Sequence, residues 1–291
     1  MSKVLAFATE KQAYFDLFIE SCNRYNIEPV ILGWGEKWIG FGGKMMTIRE
    51  YINDLPDEET IISVDPFDVI FLCGLDEIEH KFDNIKASFL CGALNLNFFN
   101  AIVYNHEFNR TRKKTPRTHT NYNFLNTGTW ISRAGYARFI IDELVDKHQM
   151  TVTSMDQQIL TGIYIQNSHS VDIDWNCEIF HNLLFKDFIT RRPDLKDLQF
   201  YDGRIINTAS NSKPCILHAS GNANLKKLAI RLGFDPEVTV PVNDNIYFWK
   251  KSLFHIGQLL KPYRYFIPGN GKKSSRTENN QIPEDGATLF R

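Results

Sequence analysis

Apolar and polar positions along this chain switch between strand-like and helix-like periods, and the switches mark its elements. Lys3–Ala8 is a short, nearly continuous apolar run, the pattern of a buried strand. Gln12–Tyr25 then carries Phe15, Phe18, Ile19, Cys22 and Tyr25 at helical spacing, and Pro29–Leu32 returns to a strand. Strand, helix, strand in this order predicts a parallel βαβ unit. Gly33-Trp34-Gly35 and Gly40-Phe41-Gly42-Gly43 predict a flexible loop, followed by a helix over Met45–Leu55 and the strand Ile61–Val64. Gly74–Phe82 reads as a short helix, Ala87–Ala93 as an apolar run and Asn95–Asn123 as loop. Phe124–Ser132 reads as a strand broken by Asn126-Thr127-Gly128. Gly135–His148 and Asp156–Ile165 are predicted helices, and Val171–Asp174 and Cys215–His218 are short strands. Near the end, Ile246, Trp249, Leu253, Ile256, Leu259 and Leu260 share one helical face within Ile246–Leu260, and Pro262 stops it. From Gly269 the chain turns polar and rich in Gly, Lys, Ser and Asn, which predicts disorder.

Composition narrows the function classes. With 33 Lys and Arg against 34 Asp and Glu, the net charge of -1 lacks the basic excess of a dedicated nucleic-acid binder. No apolar run approaches the ~20 residues of a membrane span. The N-terminal apolar segment is too short for a signal peptide, so a cytoplasmic location is expected. Cys22, Cys73, Cys91, Cys177 and Cys215 have neither disulfide-framework nor zinc-site spacing and read as buried hydrophobes in a reducing compartment. Asn109-Arg110-Thr111 is a glycosylation sequon that matters only in a secreted chain. The basic cluster Arg110–Arg117 is a solvated loop or faces an anionic partner.

The strongest chemical signal is Val64-Asp65-Pro66-Phe67-Asp68-Val69-Ile70-Phe71. Two carboxylates three residues apart, flanked by apolar residues, repel each other and are costly to bury. A divalent cation resolves both problems, and oxygen ligands favour magnesium or manganese over zinc. The alternative is an Asp-Pro turn with a helix cap. His218, at the end of a predicted strand and before Ala219-Ser220-Gly221, is a candidate third ligand or a structural histidine. Gly221 and its small neighbours would let a diphosphate approach the backbone. Lys44 follows Gly42-Gly43 and precedes a helix, which suits an anion, although the P-loop spacing is absent. Asn126-Thr127-Gly128 and Asp156-Gln157-Gln158 are sugar-binding candidates or plain turns and caps.

Taken in order, these segments resemble the glycosyltransferase domain of the procollagen lysyl hydroxylases and the related collagen galactosyltransferases. Phe7-Ala8-Thr9-Glu10 is similar to the family's first strand and turn. Leu32-Gly33-Trp34-Gly35-Glu36-Lys37-Trp38 is similar to its Leu-Gly-x-Gly-Glu-x-Trp segment, and Val64-Asp65-Pro66-Phe67-Asp68-Val69-Ile70 to its metal motif. Leu125-Asn126-Thr127-Gly128, Met155-Asp156-Gln157, Asp174, Ile179–Leu183 and His218–Gly221 resemble further blocks, so the likeness spans about residues 3–230. The chain departs from the family in several places. Phe67 replaces the motif's tyrosine, Asp156 alone remains of an aspartate run, Asn224 stands where a lysine is expected, and no Cys-Trp segment is found around Cys91–Phe99.

The resemblance implies a GT-A type α/β fold with a Rossmann-like mixed sheet over residues 1–230, followed here by a helical extension over 231–268 and a disordered tail over 269–291. It also implies Mn2+, a UDP-sugar donor and retention of anomeric configuration. By position, Asp65, Asp68 and His218 would hold the metal, and Thr9, Lys44, Phe67 and Gly221 would line the nucleotide site. Asn126 and Asp156 would sit at the reacting sugar. The expected activity is transfer of glucose from UDP-glucose to the 2-hydroxyl of galactosyl-hydroxylysine in collagen-like proteins. A UDP-galactose donor or another acceptor remains an alternative, as does a non-catalytic sugar- or collagen-binding module. The Ile246–Leu260 helix would pack on the domain, form a homodimer or lie on a membrane.

Overall fold

In the computed structural model, residues 2–95, 120–166, 170–184, 186, 190–221 and 223–242 are described. The sequon, the basic cluster, the helix over 246–260 and the tail from 269 lie outside the described residues.

The N-terminal pattern folds as it reads. Strand β1 (Ser2–Phe7), helix α1 (Phe15–Arg24) and strand β2 (Val30–Leu32) form a parallel unit, with Leu5 opposite Val30 and Phe7 opposite Leu32. β3 (Thr60–Val64) lies parallel on the other side of β1. A six-stranded sheet results, in the order β2-β1-β3-β6-β5-β7, where β5 is Phe89–Leu94, β6 is Phe124–Arg133 and β7 is Asp172–Asp174. β6 runs antiparallel to both β3 and β5, so the sheet is mixed.

The near-continuous apolar strands bury both faces of this sheet. Leu5, Ile61, Phe89 and Trp130 face one core, closed by α2 (Phe41–Ile52), α4 (Ala134–Asp142) and α5 (Asp156–Gln166). Val4, Ala6, Ile62, Val64 and Ile131 face the other, closed by α1 and α3 (Leu75–Ile85). Fully burying one such side chain is worth about 1.5–3 kcal/mol, so two continuous cores hold the sheet rigid beneath the site.

A second sheet stands beside the first, in the order β4-β11-β8. β4 (Val69–Phe71) pairs antiparallel with β11 (Ile216–His218), which pairs in parallel with β8 (Phe180–Asn182). β9 (Leu198–Tyr201) and β10 (Arg204–Asn207) form a separate ribbon, and α6 (Lys226–Arg231) follows. Asp65–Asp68 is therefore the crossing from the large sheet into the small one.

Three sequence expectations are corrected. Gly42 and Gly43 are helical, not loop: they lie in the first turn of α2 against the backbone of residues 151–154. A Cβ on Gly42 would sit 1.9 Å from the Thr151 carbonyl oxygen, so close packing accounts for glycine there. The strand over 124–133 is continuous. Its irregularity is a bulge, because Cys91 pairs with Trp130 while the adjacent Gly92 pairs with Asn126. The predicted helix over 135–148 ends in a π-helical turn over Glu143–Lys147.

Candidate functional site

The carboxyl ends of the parallel strands, the β6 bulge and the end of β11 converge on one region, where open α/β sheets place their ligands. Asp68 and His218 are both buried, and Oδ1 of Asp68 lies 3.1 Å from Nε2 of His218. Backbone bonds brace the pair. The amide of Ala219 donates to the Asp68 carbonyl at 2.7 Å, and the amide of Asp65 donates to the Gly128 carbonyl at 2.9 Å.

Asn182, on β8, sets the histidine. Its side-chain nitrogen donates to the Ala93 carbonyl at 3.0 Å, which turns its oxygen toward His218 Nδ1 at 2.6 Å. The Ser220 hydroxyl donates to the same oxygen at 3.1 Å. An amide oxygen only accepts, so Nδ1 carries a proton and Nε2 is the atom turned to Asp68. Oδ1 and Nε2 stand 3.1 Å apart inside the protein. Only a proton or a cation between them makes that arrangement favourable. An imidazole oriented by an outer hydrogen bond is the usual support of a metal ligand. The donor set of Asp68 and His218 thus fits a divalent cation. Room for the His218 ring depends on Gly128, where a Cβ would stand 2.3 Å from His218 Cε1.

Among the described residues, Asp65, Asp68 and His218 are not one set of ligand atoms all within 4.8 Å of one another. The Asp65 carboxylate accepts the Phe67 amide at 3.4 Å, the geometry of a turn around Pro66, and its charge reaches Asp156.

Asn126 and Asp156 form the adjoining wall. Asn126 donates to Gln157 Oε1 at 3.3 Å and accepts the Gly128 amide at 3.0 Å. Asp156 opens α5 and is buried, with one oxygen accepting the Gln157 amide at 2.7 Å and the Thr127 side chain also bonded to the carboxyl. Burial pushes its carboxyl above the usual aspartate range, opposed by the Lys44 ammonium, while Asp65 pushes it further up. The glycine contact at the start of α2 brings buried Lys44 to this acid.

Among the nucleotide-site candidates, Thr9, Phe67 and Gly221 lie in the loops after β1, β3 and β11. Thr9 follows β1 and its carbonyl accepts the Gly35 amide at 2.9 Å. Phe67 belongs to an aromatic group in which Phe15 lies 6.5 Å from Phe67 and 5.4 Å from Trp34 between ring centres. Gly33, at φ +76°, gives the turn that lets the loop fold over Phe7; a Cβ there would meet that ring at 2.6 Å. Gly221, at φ +78°, follows Ser220 in a backbone conformation that suits glycine. Asn182 and Ser220 were visible in the sequence only as members of motif blocks. Their role depends on β8 lying beside β11, a pairing that no local pattern announces.

Comparison with known proteins identifies the chain. The PLOD GT domain family matches residues 2–233. Procollagen-lysine,2-oxoglutarate 5-dioxygenase of Drosophila melanogaster is 30% identical over 231 residues, 75% of this chain and 30% of that protein. Procollagen-lysine,2-oxoglutarate 5-dioxygenase 2 of Homo sapiens is 26% identical over 75% of this chain and 29% of that protein. An uncharacterised protein of Acanthamoeba polyphaga mimivirus is 25% identical, over 72% of this chain and 43% of its own length. The chain thus spans about a third of the length of the dioxygenases it matches. Among solved structures, a glycosyltransferase involved in glycosylation of the PBCV-1 major capsid aligns over 80% of this chain and 98% of its own, with TM-score 0.40 and 11% identity. Mouse xyloside xylosyltransferase 1 aligns over 62% and 64%, with TM-score 0.35 and 17% identity. The mixed α/β architecture is the GT-A type expected, and the chain belongs to the PLOD glycosyltransferase domain family.

Proposed function

We propose that the chain is an Mn2+-dependent retaining glucosyltransferase that moves glucose from UDP-glucose to the 2-hydroxyl of galactosyl-hydroxylysine in collagen-like proteins. The observation that carries this reading is the buried Asp68–His218 pair, an oriented imidazole 3.1 Å from a carboxylate beside the strand ends, a donor set that fits a divalent cation. The names of the dioxygenase relatives support a collagen-lysine acceptor.

Asp68 and His218 would hold the metal, with Asp65 at its edge. When bound, the cation offsets charge on the departing diphosphate. One charge pair at ~4 Å is worth about 4 kcal/mol at an effective dielectric near 20, roughly a thousandfold in rate. Thr9, Phe67 and Gly221 would receive the nucleotide, with the Phe67 ring as a face for uracil. Lys44 opposes the burial that raises the Asp156 carboxyl, and Asp156 and Asn126 would orient and stabilise the oxocarbenium-like centre of the sugar. The acceptor hydroxyl loses its proton to the leaving diphosphate on the same face. No dedicated high-pKa base is then required.

Stabilisation by UDP with Mn2+ tests the site. The wild type should melt at higher temperature with both than with UDP and a chelator, and Asp68→Asn should lose that increment while keeping its ligand-free melting temperature. An unchanged increment in Asp68→Asn would remove the cation from this pair.

A further inference from the structure

At the opposite ends of the strands that carry Asp68 and His218, β4 runs on into Cys73 and β11 is preceded by Cys215. The amides of Cys215 and Ile216 both donate to the Ile179 carbonyl, at 2.9 and 2.8 Å. That irregularity puts both side chains into the core that also receives Cys73. The two sulfurs and a Glu77 carboxylate oxygen all lie within 4.8 Å of one another, and the Cys215 thiol donates to Glu77 Oε1 at 3.6 Å. Lys81 places its ammonium 3.4 Å from Cys215 Sγ and 2.8 Å from Glu77 Oε1. Arg204 grips the same carboxylate with two bonds, at 3.0 and 2.9 Å.

Two sulfurs and a carboxylate would ordinarily suggest a thiophilic metal. Here the cation's place is taken, because Glu77 is already neutralised by Lys81 and Arg204, which hold its carboxyl down at about 2. We propose that Cys73 and Cys215 are instead a redox pair that a small peroxide converts to a disulfide. Cys215, with the Lys81 ammonium 3.4 Å from its sulfur, is the attacking residue. Its sulfur takes one peroxide oxygen as the O–O bond breaks, giving a sulfenic acid and one water. The Cys73 thiol attacks that sulfur, forming the S–S bond and releasing the second water. Two thiols are oxidised and one peroxide is reduced to two waters. Both thiols are buried, and the Lys81 and Glu77 side chains beside them are 19% and 36% exposed. A dithiol reverses the bond.

The test uses the full chain treated with hydrogen peroxide and mapped as peptides without reduction. The Cys73 and Cys215 peptides should appear linked, with Cys22, Cys91 and Cys177 still free, and dithiothreitol should separate them. Cys73→Ser should stop at a dimedone-trappable sulfenic acid on Cys215, and Lys81→Met should slow linkage several-fold. Complete alkylation of both cysteines after peroxide, or linkage to one of the other three, would overturn the proposal. So would one tightly held zinc per chain that is lost in Cys73→Ser.

Discussion

Asn182 touches no expected ligand of the donor, yet it fixes which His218 nitrogen carries the proton. Replacing it with alanine frees the ring and leaves Ser220 as the remaining side-chain partner of Nδ1. Outer-shell losses of this kind cost metal ligands about 10–100-fold in affinity. Asn182→Ala should therefore weaken Mn2+ by that factor in a titration, while saturating Mn2+ restores most UDP binding. Gly128→Ala is predicted to be worse, because its methyl would occupy space held by the His218 ring edge. Raised Mn2+ should not rescue it. At this scale Asp68 and His218 were legible, because carboxylates and a histidine at strand ends are conspicuous in an apolar context. Asn182 was not, since an asparagine between apolar residues reads as any buried polar group.

Elements aim these residues, and the second sheet depends on two buried titrating groups of opposite effect. Asp174 accepts the amides of Glu178, Ile179 and Phe180 at 2.7–2.9 Å, which shapes the entry to β8. Burial nevertheless pushes its carboxyl up to about 6, against those three amides. Burial lowers His181 to about 4. A raised carboxyl gives stability that is present below the unfolded value near 4 and lost as pH rises through about 6. A lowered histidine gives stability that is present above about 6.5 and lost as pH falls through about 4. Each shift of about two units is worth about 3 kcal/mol, so the two largely cancel between pH 4 and 6.5. Asp174→Asn should unmask the histidine: its melting temperature should fall on acidification over that range more steeply than the wild type's. A slope equal to the wild type's would refute this. The first βαβ unit was readable because its periods are regular. The β6 bulge and the helical glycines were not, because each is set by a distant partner, β5 in one case and the 151–154 backbone in the other.

Across the whole molecule, two cores clamp the large sheet, and the small sheet leans its Asp68–His218 end against the β6 bulge. Near-continuous apolar strands made this double-sided burial legible from sequence. The small sheet was harder to read, because its strands are three residues each and come from distant parts of the chain. No helix among the described residues is long and apolar enough to cross a membrane. The division of labour makes a prediction: Trp130→Ala, which empties a fully buried site stacked on Phe89, should cost about 3–5 kcal/mol in denaturant unfolding. Asp68→Asn should cost far less stability and far more activity. The most direct test of the account is UDP release from UDP-glucose with Mn2+, measured with and without a galactosyl-hydroxylysine acceptor, beside UDP-galactose and a chelator control. The account predicts release that the acceptor stimulates, that the chelator abolishes and that UDP-glucose supports better than UDP-galactose. No metal-dependent release from any UDP-sugar would contradict it.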